Sequence, residues 1–142
     1  MKFNTKTRYG VRTMLEIALD KSPGGVFQKD IAKNQEISVR YLDHIIAALK
    51  VANLITTVRG RKSGYVLTRD PKEITIYDIH NAFEPGINIV DCLSENKGCE
   101  REKNCASRVF WDELNGIIVN YLRDKTLAEM VAVHEQINTK TV

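Results

Sequence analysis

The chain has 142 residues, of which 43% are hydrophobic and 27% charged, with a formal net charge of +3. That apolar share excludes an intrinsically disordered chain, and the length suits one well-buried domain or a small domain carrying an oligomerisation element. No apolar run approaches a membrane span, so no membrane partner is expected.

The start, Met1-Lys-Phe-Asn-Thr-Lys-Thr-Arg8, lacks the apolar stretch of a secretory signal. A cytoplasmic protein is expected, in which thiols stay reduced. Residues 1–72 hold 14 Lys/Arg against 6 Asp/Glu, whereas residues 73–142 hold 7 against 12. A basic half followed by an acidic half points to a polyanion partner for the first, although a solvated charged surface gives the same totals.

From Thr5 to Asp20, Val11, Met14, Leu15, Ala18 and Leu19 form the stripe of an amphipathic helix. Ser22-Pro-Gly-Gly25 ends it. A short helix over 28–34 turns Ile31 and Ala32 inward, with Gln28 a poor cap at its start. Ser38 is a good N-cap for the next helix, and Ile37 before it can staple onto Leu42. Leu42, Ile45, Ile46 and Leu49 carry that helix to about Val51, with Arg40, Asp43, His44 and Ala47 on the opposite face. Two helices across a tight turn make a helix-turn-helix.

The β-branched run Leu54-Ile-Thr-Thr-Val58, the turn Arg59-Gly-Arg-Lys-Ser-Gly64 and the strand Tyr65-Val-Leu67 predict a hairpin with a cationic tip. A lone hairpin is marginal in water, so it must pack on the helices as a wing. Thr75-Ile-Tyr-Asp78 forms a capping box for a helix with Ile76, Ile79, His80 and Phe83 on one side, stopped by Glu84-Pro-Gly86. A longer helix runs from about Ala106 to Leu122, with Phe110, Leu114, Ile117, Ile118 and Tyr121 as its stripe and Val109, Trp111 and Leu122 broadening it. Its aromatic residues lie at helical spacing and read as core or dimer contacts. Thr126-Leu-Ala-Glu129 is a cleaner capping box and opens the last helix.

The expected fold is mostly α with a small β-hairpin wing, a winged helix-turn-helix followed by a long dimerisation helix. Residues 1–84 form the DNA-binding domain, 85–105 a ligand loop, and 106–142 the dimerisation and C-terminal helices. Ser38, Arg40, Tyr41, Asp43 and His44 stand near the N-terminus of the presumed reading helix, where side chains meet base edges in the major groove. Arg40 can donate to guanine or phosphate. Asp43 is more telling, since a carboxylate facing DNA is costly unless it accepts from a cytosine amino group; otherwise it pairs with a basic neighbour in solvent. Arg59, Arg61 and Lys62 at the hairpin tip suit the backbone or a narrow minor groove.

All three cysteines lie in the fourteen residues Cys92-Leu-Ser-Glu-Asn-Lys-Gly-Cys99-Glu-Arg-Glu-Lys-Asn-Cys105. An odd number cannot close as disulfides, and the spacing lacks the Cys-x2-Cys pairs usual for structural zinc. Thiolates are the usual ligands of iron–sulfur clusters, and a polar loop bearing Gly98 can wrap one. A redox switch remains open at this point.

The runs Lys6-Thr-Arg-Tyr-Gly-Val-Arg-Thr-Met-Leu-Glu-Ile-Ala-Leu19, Ile37-Ser-Val-Arg-Tyr-Leu42 and Val58-Arg-Gly-Arg-Lys-Ser-Gly-Tyr65 resemble the bacterial regulators of the IscR, NsrR and RirA type. These are dimeric winged-helix transcription factors, many of which sense through an iron–sulfur cluster. The likeness spans nearly the whole chain in order. It implies that Cys92, Cys99 and Cys105 ligate the cluster and that the partner is a double-stranded DNA operator bound by a homodimer. The wing departs from the family's frequent Gly-Pro-Gly-Gly-Gly-Tyr, reading Gly60-Arg-Lys-Ser-Gly-Tyr65 here.

The fourth ligand departs too. Arg108 stands where IscR-like members have histidine, and Arg8 where NsrR-like members have aspartate; arginine has no lone pair suited to iron. A [4Fe–4S] cubane with one labile iron is favoured over a [2Fe–2S] cluster completed by Glu100, Glu102, Asp112 or a histidine. His44, His80 and His134 are isolated in the sequence and read as surface or core-edge residues rather than ligands. The expected function is a DNA-binding transcriptional regulator whose operator binding is controlled by the cluster, sensing iron, cluster, redox or nitric oxide status. The alternatives are a small iron–sulfur carrier or electron-transfer protein and a metal-free thiol-switch regulator. No nucleophile–base arrangement, phosphate loop or acid pair suggests an enzyme.

Overall fold

Local capping signals set most helix starts in the structure, a computed structural model describing residues 2–60, 63–95 and 97–140. Helix α1 (Thr5–Leu19) begins where the Asn4 side chain accepts the Thr7 N–H at 2.7 Å, so one orphan donor of the first turn is satisfied. It buries Met14 and Ile17 and ends short of the proline-glycine turn. Helix α2 (Gln28–Gln35) has no side-chain cap and stops at Glu36, whose left-handed φ of 53° turns the chain. The Ile37 N–H then returns to the Ala32 carbonyl at 3.0 Å. Helix α3 (Val39–Val51) is capped by Ser38, whose hydroxyl accepts the Tyr41 N–H at 3.1 Å. Ile37 and Leu42 are both buried, as the staple requires.

Strands β1 (Ile55–Thr57) and β2 (Tyr65–Leu67) pair antiparallel with Ile55 opposite Leu67 and Thr57 opposite Tyr65. The hairpin is not left to two strands. Val26, just before α2, forms an antiparallel bridge to Tyr65, with hydrogen bonds of 3.1 and 2.8 Å. The wing is therefore stitched to the helix-turn-helix through main chain, which a lone hairpin needs.

Helix α4 (Ile76–Asn81) starts with the capping box expected from Thr75 and Asp78, both reciprocal bonds being present. Helices α5 (Ala106–Asp124) and α6 (Leu127–Lys140) complete the chain. The start of α6 runs back to the first half: Leu127 donates its N–H to the Ile74 carbonyl, Ile76 donates to Lys125, and Thr75 bridges Thr126. The Leu127 side chain is 0% exposed and belongs to one core with Met14, Ile31, Leu42, Ile45, Leu49, Ile74 and Ile79. Helix α6 also packs along α1.

Helix α5 behaves differently: none of its residues is buried. Its stripe divides, with Leu114, Ile118 and Leu122 half-buried against the chain and Val109, Phe110, Ile117 and Tyr121 exposed. Asn115 of α5 anchors the loop before it, accepting from the Ile89 N–H and donating to the Ile87 carbonyl, each at 2.9 Å. Among the described residues no helix is long and apolar enough to cross a membrane.

Candidate nucleic-acid interface and cysteine segment

The exposed end of α3 gathers the residues expected there. Ser38, Arg40, Asp43 and His44 are exposed, while Tyr41 is half-buried with its ring edge-on to Tyr9 at 5.7 Å. The Ser38 hydroxyl oxygen accepts the cap bond, which leaves its own proton to donate. The Arg40 and His44 side chains make no hydrogen bond or ion pair among the described residues, which leaves a cation and an imidazole available at the helix end.

Asp43 has a partner, but not a basic one. Its Oδ1 accepts from the side-chain amide of Gln28, which also donates to the Val39 carbonyl at 3.4 Å. The Gln28 carbonyl oxygen accepts from the Tyr65 hydroxyl at 3.4 Å. Gln28, marked in the sequence only as a poor cap, thus joins α2, α3 and β2. No local signal announces such a role, because its partners lie 15 and 37 residues away.

On the wing, Arg59 is exposed and unpaired among the described residues. Arg61 and Lys62, expected at the same tip, lie outside the described residues. A Lys50 ammonium stands 6.0 Å over the Tyr65 ring, adding positive charge between α3 and the hairpin.

The cysteine segment is a loop interrupted by two single 3-10 turns, Asp91–Leu93 and Glu102–Asn104. Cys92 is in the first turn and half-buried, Cys99 is exposed, and Cys105 is half-buried at the N-cap of α5 without a side-chain cap bond. All three are free thiols. Among the described residues no three His, Cys, Asp or Glu side chains stand together as a metal site. The donor chemistry suits a cluster, since three thiolates are its usual ligands; the arrangement here does not gather them.

Of the further ligands considered, Glu102 is held by Arg108, Oε1 to Nη2 at 3.0 Å. His134 lies on α6 at 2.7 Å from the Asn138 amide. His80 is only 3% exposed, with Nδ1 3.5 Å from the Thr7 hydroxyl and Nε2 3.0 Å from the Gly86 carbonyl. Both its ring nitrogens are occupied in tying α1 and α4 to the start of the loop.

A helix-turn-helix with a main-chain-stitched hairpin and an open cationic end on its second helix defines a winged-helix DNA-binding protein. A family profile described as "Rrf2: Iron-dependent Transcriptional regulator" matches residues 3–133. The chain is 37% identical to Protein rrf2 of Nitratidesulfovibrio vulgaris over 92% of its length and 87% of that relative. Among solved structures it is similar to CymR, the global cysteine regulator of Bacillus subtilis (TM-score 0.77, 31% identity, 94% of this chain and 98% of that one). It is also similar to T. potens IscR (TM-score 0.75, 31% identity, 96% and 90%). The chain belongs to the Rrf2 family of transcriptional regulators, and it is not an enzyme.

Proposed function

We propose that this regulator is a homodimer in the cytoplasm whose grip on a near-palindromic operator is set by an iron–sulfur cluster on Cys92, Cys99 and Cys105. One observation carries the reading: the segment holding all three free thiols ends at the N-cap of α5, the helix whose apolar face the chain leaves uncovered. Ile117 is 66% and Tyr121 62% exposed there. A second copy covering that face places two reading heads on one DNA by two-fold symmetry.

In this scheme residues 1–84 form the reading head, 85–105 the ligand loop and 106–142 the dimer arm, with the first turn of α6 keyed back into the head. Ser38, Arg40, Tyr41, Asp43 and His44 meet the major groove, and Arg59, Arg61 and Lys62 follow the backbone or minor groove. The bound cluster, [4Fe–4S] in preference to [2Fe–2S], supplies a redox-active, ligand-exchangeable iron. Gathering three thiols orders the loop, which Asn115 already ties to α5, and so biases the angle between the heads. Linkage then requires cluster and operator to change each other's affinity equally.

Family membership removes the rival reading as an iron–sulfur carrier, which left the reading head without a task. The metal-free thiol switch has one observation in its favour, the dispersed placement of the thiols. The oxidised form of Staphylococcus aureus CymR, a structure with TM-score 0.71 and 28% identity, is similar to this chain as well.

The test is to purify the protein without air, record absorption and Mössbauer spectra, and titrate operator binding for wild type and for the three Cys→Ala variants. The proposal expects a coloured, iron-bearing dimer and an operator affinity that changes at least fivefold, on the order of typical allosteric coupling, when any one thiol is removed. A colourless protein whose affinity responds only to thiol oxidants establishes the second reading.

A further inference from the structure

We infer that Gln28 is a positioning residue for sequence discrimination: it fixes the carboxylate of Asp43 on the reading face of α3 and ties it to the wing. The inference rests on the proposed reading of Asp43 as a groove contact.

The geometry is specific. Val39 and Asp43 are one helical turn apart, and a single amide group donates to the carbonyl of one and the carboxylate of the other. The carbonyl end of the same amide receives the Tyr65 hydroxyl. Tyr65 is itself held on both sides, by Thr57 across the hairpin and by Val26. One neutral side chain therefore links the first turn of α3 to Tyr65, at the end of the hairpin strands that borders the wing's turn.

Neutrality matters. A lysine at position 28 would cancel the Asp43 charge, and a glutamate would repel it. An amide does neither, so the carboxylate keeps its charge and its second oxygen, with lone pairs able to accept from a cytosine amino group. A free aspartate can swing away from a base that offers no donor and so tolerate it. A held one cannot, and the mismatch costs an unpaired charge facing an acceptor. Its rotamer is also ordered before DNA arrives, which lowers the entropy cost of the base contact. Phosphate attraction, which is indifferent to sequence, does not pass through Gln28.

The test first selects binding sites from randomised duplex DNA with the full chain, then measures affinity for operators altered at each base pair. Wild type, Q28M, Y65F, D43A and the Q28M/D43A double variant are compared, alongside the salt dependence of non-specific binding. D43A should flatten the preference at one base pair per half-site by roughly tenfold. Q28M should flatten the same pair by about threefold or more with an unchanged salt slope. Y65F, which spares the amide–carboxylate bond, should give a smaller loss at that pair, and the double variant should lose no more than D43A alone. Full preference in Q28M while D43A loses it overturns this inference and leaves the groove reading standing. No loss at any base pair in D43A overturns both. Losses spread evenly over all pairs in Q28M mean general damage to the head, and overturn the inference too.

Discussion

Gly25 and Gly64 lie backbone against backbone: a Cβ on Gly64 would stand 2.5 Å from the Gly25 carbonyl carbon, and one on Gly25 2.7 Å from the Tyr65 carbonyl oxygen. This approach lets the Gly64 N–H reach the Gly24 carbonyl at 2.8 Å and brings Tyr65 to Val26. Gly25 also has φ +72°, a conformation costly for any residue with a Cβ. Gly64→Ala is therefore expected to destabilise the fold by about 1–3 kcal/mol, the range for overpacking. Operator affinity should fall further than stability accounts for, because the wing loses its seat. Urea unfolding and gel-shift titration of the same preparation check both.

Leu127 starts the last helix yet sits in the core of the first half with 0% exposure. Leu127→Ala should cost about 2–5 kcal/mol in a single cooperative transition. A biphasic denaturation curve, with the head unaffected, would show that α6 is energetically separate.

The open face of α5 leads to a sharper expectation. Ile117→Glu puts a charge in the proposed seam, where an unpaired buried charge is strongly unfavourable. The variant should sediment as a monomer with near-native circular dichroism and bind operator at least tenfold more weakly. Analytical ultracentrifugation decides it; an unchanged oligomeric state removes α5 as the seam.

Glu129 completes the capping box of α6, its Oε2 receiving the Thr126 N–H at 2.7 Å. That backbone hydrogen bond lowers its carboxyl most; desolvation opposes it, and the nearby Lys125 ammonium and the Thr126 hydroxyl lower it further, so that it lies below the ordinary value. A carboxyl lowered in the folded state contributes stability above its unfolded pKa and loses it as pH falls through the folded one. Glu129→Gln retains a cap acceptor but cannot titrate. The melting temperature of wild type should exceed that of the variant slightly at neutral pH, and the difference should vanish as pH drops below the ordinary carboxylate range. A difference independent of pH would mean that the charge contributes nothing.

Much of the fold was legible in the amino-acid order because its signals are local. The stripe of Met14, the caps at Ser38, Thr75 and Thr126, and the β-branched runs around the basic turn each act within one or two helical turns or one strand. The exposed end of α3 follows from the same periodicity, since burying Leu42, Ile45, Ile46 and Leu49 turns Arg40, Asp43 and His44 outward.

What tertiary structure alone decided are the partners distant in sequence: Val26 beside Tyr65, Gln28 beneath Asp43, Asn115 holding residues 87 and 89, and Leu127 entering the core beside Ile74. His80 illustrates the difference. At the sequence level it borders an apolar stripe, and only packing shows both its nitrogens engaged between α1 and Gly86. Periodicity specifies which face of an element is apolar, but not what covers it. That choice depends on chain closure over long loops, where the free energy comes from packing that no short window contains.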